Sequence, residues 1–338
     1  MELEYSDWNA LRTAYGTRVQ TSPFVRESSD FGGTWTTGGI SLAVGPFSSA
    51  SWSGGSASAM PLTSTENATG NAHLWRWAKV GPPLDLLATG IGPQLGGTGS
   101  ATYLGQYYTF HESSPSEDNA IKNPRVEFRT PGGSITWAQS GLYASRQGIV
   151  GTVDSKSGRL IRVWRGKNDE ILLAQSGSGT PESPLTPVAL TGDTNAAAFT
   201  PSVACSDDPA VVANCIIVWA SQPKETPGDH YHVIKWTQFR LVSSGGTFTF
   251  EFVNPVYAVG YVVFGRPNVT FTGERGGSKA FVIAWQVPTT CFFTLYKSAS
   301  PISSFTGETG HCVASGVLGP PPLGTSNGYV EAWAPIVK

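Results

Sequence analysis

The chain has 338 residues and a formal net charge of −2, and only 14% of its residues are charged, against about 25% in ordinary globular proteins. This composition excludes a nucleic-acid partner, which would need clustered Lys and Arg. No apolar run reaches the length of about 18 residues that a membrane-spanning helix requires. Because 40 glycines and 24 prolines interrupt every helical period, the chain is predicted to be all-β.

The first motif in the chain is Ser28-Ser29-Asp30-Phe31-Gly32-Gly33-Thr34-Trp35. Asp30 can accept hydrogen bonds from the backbone two residues further on, and Gly32 supplies a positive φ. Thr34 and Trp35 suit a half-buried strand. The motif therefore predicts a turn that leads into a strand.

Aromatic side chains are concentrated in the next part of the chain. The segment His73-Leu74-Trp75-Arg76-Trp77 predicts a strand with both Trp residues on one face. Exposed rings stack on sugar faces, and nearby polar groups bind the hydroxyls. The alternative for the Trp residues is packing between sheets. The candidate ligand-binding residues are Trp75, Trp77, Tyr107, Tyr108 and His111.

One pattern recurs along the chain: Pro-x-Val, a turn, and an apolar strand that ends in Trp. It is found at 124–137, 201–219 and 267–285, and in a looser form at 23–35. Pro at the first residue of a strand removes no ladder hydrogen bond. The Val and Trp positions are predicted to pack between neighbouring sheets. A separation of roughly 50–80 residues is typical of propeller blades with variable loops.

The segment Asp154-Ser155-Lys156-Ser157-Gly158 predicts a hairpin turn between strands at 148–153 and 159–164. Further strands are predicted at 230–241 and 247–253. Three segments rich in Gly, Ser or Pro are predicted to be long loops, and they are 48–70, 90–105 and 176–195.

Four cysteines allow three pairings. We favour the two local pairs, and the alternative is four reduced, buried thiols. Disulfides together with a low charge are typical of an exported protein, which would be secreted, periplasmic or on the cell surface. The favoured pairs are Cys205–Cys215 and Cys291–Cys312.

The motif at 28–35 fits the spacing Ser-x-Asp-x-Gly-x-Thr-Trp, carried by Ser28, Asp30, Gly32, Thr34 and Trp35. This spacing resembles the Asp box, or BNR repeat, of sialidase-like β-propellers. The resemblance implies one domain over 1–338, made of four-stranded antiparallel blades. Six or seven blades are favoured and five also fit, with a ring closed by N- and C-terminal strands so that no edge is open. A pair of packed sheets is the rival architecture.

The resemblance also directs attention to arginines and carboxylates, because sialidases of this family hold the sugar carboxylate with three arginines and use a Tyr–Glu pair and an Asp. Their usual Arg-Ile-Pro motif is absent from this chain. Glu127 is the most interesting carboxylate for glycosidic chemistry, and a salt bridge to a neighbouring strand is its alternative role. The arginines within or beside the Pro-x-Val pattern are Arg26, Arg125 and Arg266. For them, ordinary strand-end positions are the alternative.

The segment His230-Tyr231-His232 places two imidazoles on one face of a strand. This spacing can chelate a metal if a third ligand is nearby. Alternatively, one His can act as the base of an eliminative sugar lyase, with Tyr231 on the opposite face. A pair of surface residues is the plainest interpretation, so no bound metal is predicted.

The sequence as a whole predicts an exported β-propeller that binds a glycan or another small-molecule ligand through loops on one face. The alternatives are a glycan-active enzyme, either a hydrolase or a lyase, and a scaffold that docks a protein. No dinucleotide, phosphate-loop or zinc motif is present, so no cofactor is expected. The sequence leaves catalysis and the oligomeric state open.

Overall fold

In a computed structural model of the chain, every regular element described is a β-strand. The structure describes the side chains of residues 149–166, 170–177, 186–190, 197, 200–206, 208–209, 211–221, 233–253, 267, 269, 271, 281 and 283, and elsewhere only the backbone of strands. Within these residues there is no helix long and apolar enough to cross a membrane.

The strands are short, as expected for a chain with so many turn residues. In chain order they are β1 (Phe24–Val25), β2 (Ile40–Ser41), β3 (Phe47–Ser48), β4 (Ala59–Thr65), β5 (Asn71–Ala78), β6 (Leu84–Pro93), β7 (Gly99–Tyr103), β8 (Gln106–Glu112), β9 (Pro124–Arg129), β10 (Ile135–Gln139), β11 (Ile149–Asp154), β12 (Arg159–Arg165), β13 (Ile171–Gly177), β14 (Val188–Ala189), β15 (Ser202–Cys205), β16 (Cys215–Ser221), β17 (His232–Ser244), β18 (Thr247–Phe252), β19 (Tyr257–Val263), β20 (Asn268–Thr272), β21 (Ala280–Trp285), β22 (Thr294–Ala299) and β23 (Thr306–Gly307).

These strands form successive antiparallel sheets in chain order. Sheets β3–β6, β7–β10, β11–β14 and β20–β23 have four strands each, sheet β15–β19 has five, and β1 pairs with β2. In sheet β15–β19, the long strand β17 pairs with β18 along its second half and with β19 along its first. Strand β11 lies beside both β7 and β15, and β15 lies beside β20. Consecutive sheets are therefore placed side by side through their first strands.

Among the residues whose burial is described, the first of two apolar clusters lies between sheets β11–β14 and β15–β19. Because side chains alternate along a strand, the register brings Val150, Val163 and Leu173 onto one face of the first sheet. Ile217 and Trp219 lie on the facing side of the second sheet, and all these residues are buried in one cluster.

The second core lies between sheets β15–β19 and β20–β23. It is formed by the opposite face of β16 and β17, including Val218 and Trp236, together with Val269 and Phe281. A hydrogen bond also crosses this boundary, because the Val269 amide donates to Ser202 Oγ at 3.0 Å. Strand β16 is thus buried on both faces.

The recurring Pro-x-Val pattern is confirmed as a pair of adjacent first and second strands at 201–219 and 267–285. Val203 lies opposite Ile217, and Val269 lies opposite Ile283. Trp219 is fully buried between the sheets, as predicted.

Two other occurrences of the pattern differ from this arrangement. The segment 124–137 forms β9 and β10, which are the third and fourth strands of their sheet. At the N-terminus, β1 pairs with Ile40–Ser41 of β2 rather than with 34–35. A Pro-x-Val followed by Trp therefore marks a strand pair without fixing its place in the sheet.

The hairpin between β11 and β12 is confirmed, with Gly158 at a φ of 66°. The strands predicted at 230–241 and 247–253 are present as β17 and β18. The prediction of long loops at 48–70 and 90–105 was wrong, because β4, β6 and β7 form there. Their Ser and Gly content is typical of loops, yet these segments pair with the strands next to them in the chain.

Candidate functional site

Each sheet has two ends that differ in how its strands are connected. We call the turn end the one where the first and second strands are joined, as at 155–158 in sheet β11–β14 and 206–214 in sheet β15–β19. The loop end is the opposite one, where second and third strands are joined, as at 166–170 and 222–231, and where each sheet is entered, as at 190–201. Loops carry most of the binding residues of a protein, so the two ends differ in what they offer to a ligand.

A buried carboxylate accepts the hydrogen bonds that fix the turn end. Asp154 is almost inaccessible to solvent and accepts three hydrogen bonds. Two come from its own turn, from the Lys156 amide at 3.1 Å and from Ser157 Oγ at 2.5 Å. The third comes from Asn214 Nδ2 of the next sheet, at 2.7 Å. This is the aspartate turn that the sequence predicts for Asp30, seen here at Asp154.

The loop at 206–214 is held from several sides. The disulfide Cys205–Cys215 closes it, as predicted, between residues directly opposite each other in the β15–β16 register. Lys156 Nζ donates to the Val211 carbonyl at 2.5 Å. Gln238 Nε2 donates to the Ala213 carbonyl at 3.1 Å. Hydrogen bonds therefore join two sheets at the turn end, and we call this contact the joint. The polar side chains named here already have hydrogen-bond partners.

The loop end includes the connections at 166–170 and 190–201. In the β12–β13 connection, the Gly166 amide donates to the Glu170 carbonyl at 2.8 Å. A Cβ on Gly166 would lie 2.5 Å from Glu170 Cδ, so this carboxylate rests against the glycine backbone. Ala197 of the β14–β15 connection forms an isolated bridge with Ser221 at the end of β16. Buried polar side chains at this end are Arg165, Thr200, Ser202 and Ser221.

Arg162 is a buried cation that the sequence analysis missed. It lies on β12 opposite Gly151 of β11 and Ala174 of β13, whose small size leaves room for it. Its Nη2 donates to Ser176 Oγ at 3.3 Å. Burial lowers the pKa of the Arg162 guanidinium to about 9. The available signal was the sequence Ile161-Arg162-Val163-Trp164, a charge inside an otherwise apolar strand.

The backbone register of sheet β7–β10 brings several predicted residues together. Arg125 of β9 lies opposite His111 of β8 and Gln139 of β10. Glu127, two positions after Arg125 on β9, lies opposite Thr109 of β8 and Trp137 of β10. The row of Arg125 is next to the last pair of β8 and β9 at the loop end, which is Glu112 with Pro124.

The register separates other predicted ligand-binding residues. Tyr107 lies opposite Arg129, and Tyr108 lies opposite Phe128, so the two tyrosines occupy different faces. Both lie about 10 Å or more from His111 along β8. Residues 107, 108 and 111 therefore do not form one compact group.

Trp75 and Trp77 occupy one face of β5, as predicted. Trp75 lies opposite Leu62 and Leu86, and Trp77 lies opposite Met60 and Leu84. Neighbouring positions on that face are thus apolar, a composition typical of a core.

Several predicted residues lie outside those that the structure describes. His232 begins β17, where it lies opposite Val263 of β19. The predicted residues outside the description are Ser28, Asp30, Gly32, Thr34, Trp35, Arg26, Arg266, His230, Tyr231, Cys291 and Cys312. Among the described residues, no group of three or more His, Cys, Asp or Glu side chains could hold a metal ion.

No family model matches the chain, and no curated protein matches it. The chain does resemble solved structures. A mutant of the Aleuria aurantia lectin, in complex with Fucα1-6GlcNAc, matches with a TM-score of 0.51 at 11% identity, over 90% of each chain. The SapL1 lectin, in complex with α-methyl fucoside, matches with a TM-score of 0.51 at 14% identity, over 86% of this chain and 92% of that one.

The α-L-arabinanase of Penicillium chrysogenum, in complex with arabinobiose, matches with a TM-score of 0.50 at 10% identity, over 74% of this chain and 77% of that one. The fold is a β-propeller. Side-by-side antiparallel sheets joined through their first strands are the blades of such a ring. At these identities the likeness concerns architecture, and function has to be argued from the site.

Proposed function

We propose that this protein is an exported β-propeller that binds a carbohydrate through the loop end of its sheets. The observation that carries the proposal is the fold shared with two sugar-binding lectins over 86% and 90% of this chain. A weakly charged, aromatic composition, with 11% Phe, Trp and Tyr, supports it, since aromatic rings and neutral polar groups are the usual partners of sugars.

The loop end is better suited than the turn end to bind a ligand. At the turn end, Asp154 and Lys156 are occupied by hydrogen bonds between sheets. Connections at 113–123, 190–201 and 222–231 all lie at the loop end. His111 at the end of β8 lies close to the first of these. The ligand-binding residues proposed from the sequence remain Trp75, Trp77, Tyr107, Tyr108 and His111, and among them His111 is best placed.

For the ring itself we propose six or seven blades closed by N- and C-terminal strands, with an Asp box at 28–35. The described sheets account for five blades, and the β1–β2 pair supports one more. A closed ring leaves no sheet edge at its seam, which protects the chain from edge-to-edge association.

Export is proposed from the disulfide Cys205–Cys215, because such bonds persist in oxidising compartments. The second pair, Cys291–Cys312, is part of the same proposal. Peptide mapping without reduction would recover both cross-linked peptides, and a free thiol at Cys291 would contradict the second pair.

The test of sugar binding is a glycan array probed with the full chain, followed by calorimetry on the best ligands. We expect a defined set of glycans to bind and to be recovered unchanged after incubation. An array without any bound glycan, at protein concentrations up to the high micromolar range, would contradict the proposal.

A glycan-active enzyme is the second candidate, favoured by the fold shared with an arabinanase. The groups proposed for catalysis are Arg26, Arg125, Arg266, Glu127, His230 and Tyr231. Cleaved products in the same incubations, lost on Glu127→Gln, would favour the enzyme over the binding protein.

A further inference from the structure

We infer that one face of sheet β7–β10 is the sugar-binding surface of this protein, an inference that rests on the proposed function and locates its site. Two neighbouring rows of the register define this surface, which we call the β9 face. One row is His111, Arg125 and Gln139, and the other is Thr109, Glu127 and Trp137.

The sequence of β9 distinguishes its two faces. Arg125, Glu127 and Arg129 alternate with Val126 and Phe128. Strict alternation is typical of a strand with one face on the core and the other in contact with water. By contrast, β13, which is the third strand of its sheet as β9 is, begins with the unbroken apolar run Ile171-Leu172-Leu173-Ala174. The alternation makes the β9 face the polar one of the two faces of this strand.

The residue types on the β9 face match the chemistry of a sugar. A guanidinium donates hydrogen bonds, a carboxylate accepts them, and an amide does both. Arg125, Glu127 and Gln139 together therefore suit a sugar hydroxyl both as an acceptor and as a donor. An indole ring offers a flat apolar surface to the C–H face of a sugar ring. Trp137 supplies that ring one strand away from Glu127.

The dimensions of the β9 face fit a small ligand. Neighbouring strands are about 4.8 Å apart, and alternate residues of one strand are about 6.8 Å apart. Three strands and two rows thus span about 10 Å by 7 Å. This area lies towards the loop end, where β8 finishes and β9 begins.

The test compares substitutions on the β9 face with matched substitutions elsewhere in the full chain. Arg125→Gln and Glu127→Gln are expected to weaken binding of the array-selected sugar by about tenfold or more. Trp137→Leu is expected to weaken it by about tenfold, whereas Trp137→Phe keeps a ring and most of the affinity. The controls are Arg240→Gln and Glu251→Gln, an exposed ion pair of sheet β15–β19, and these should bind as the unaltered protein does.

Hydrogen exchange measured on the unaltered protein is an independent test, because it does not depend on whether a variant folds. The bound sugar should slow exchange in peptides from 106–112 and 124–139. Protection confined to other segments, or variants on the β9 face that keep full affinity, would overturn the location while leaving sugar binding intact. If the unaltered protein binds no sugar on the array, the proposed function fails, and this inference fails with it.

Discussion

The side-chain amide of Asn214 donates a hydrogen bond of 2.7 Å to the carboxylate of Asp154, and this bond crosses the boundary between two blades. Neither residue is exposed. The same carboxylate also holds its own hairpin turn through the Lys156 amide. One side chain therefore fixes both a local turn and the position of the neighbouring blade.

Replacing Asp154 with Ala should lower the free energy of unfolding by about 2–4 kcal/mol, because buried donors lose their acceptor and each costs about 1–3 kcal/mol. Denaturant unfolding of both proteins measures this. The control is Glu251→Ala, which removes the exposed ion pair with Arg240 and should cost less than about 1 kcal/mol. Equal losses for the two variants would show that the joint at Asp154 adds no stability.

The disulfide is the second element of this joint. Replacing both Cys205 and Cys215 with Ser should lower the free energy of unfolding by about 2–3 kcal/mol, since the closed loop is short. The measurement is denaturant unfolding of both proteins in the absence of a reducing agent. The unaltered protein with its disulfide reduced should match the double variant, and a double variant as stable as the oxidised protein would contradict the prediction.

Trp219 tests the difference between a core tryptophan and a ligand-binding one. It is fully buried among apolar residues of two blades. Trp219→Ala should therefore cost about 3–5 kcal/mol, as measured by denaturant unfolding. Sugar affinity per folded molecule should stay unchanged, whereas Trp137→Leu should lose affinity with a smaller loss of stability. A loss of affinity for Trp219→Ala under folding conditions would place a ligand near this residue instead.

Local chemistry explains which parts of the fold the sequence predicts well. The turn at Asp154 was correctly predicted because its residues suit only a turn, and the pair Cys205–Cys215 because both cysteines lie close in the chain. The pairing of 124–137 in the outer half of its sheet was missed. Strands follow one another in chain order within each four-stranded sheet, but a Pro-x-Val pattern does not encode at which strand a sheet begins.

The candidate site was less predictable for the same reason. His111 and Arg125 were each selected from the sequence, but nothing in the sequence indicated that they are opposite each other across β8 and β9. Tyr107 and Tyr108 were selected together although consecutive residues of a strand must face opposite ways. Register, rather than residue type, decides which candidates can act on one ligand.

The burial of Arg162 predicts how the free energy of unfolding depends on pH. Burial lowers the pKa of its guanidinium to about 9 in the folded protein, well below the ordinary arginine value that the unfolded chain retains. Between these two values the unfolded chain binds more protons than the folded protein, so stability increases with pH. Arg162→Met removes this group, and replacing a buried charge with an apolar side chain is often neutral or stabilising.

We therefore expect the unaltered protein to gain stability relative to Arg162→Met when the pH is raised from about 7.5 to about 10, a range that includes the lowered pKa. Urea unfolding at both pH values measures the difference. A constant difference between the unaltered protein and Arg162→Met would mean that the guanidinium stays charged throughout, stabilised by its neighbours.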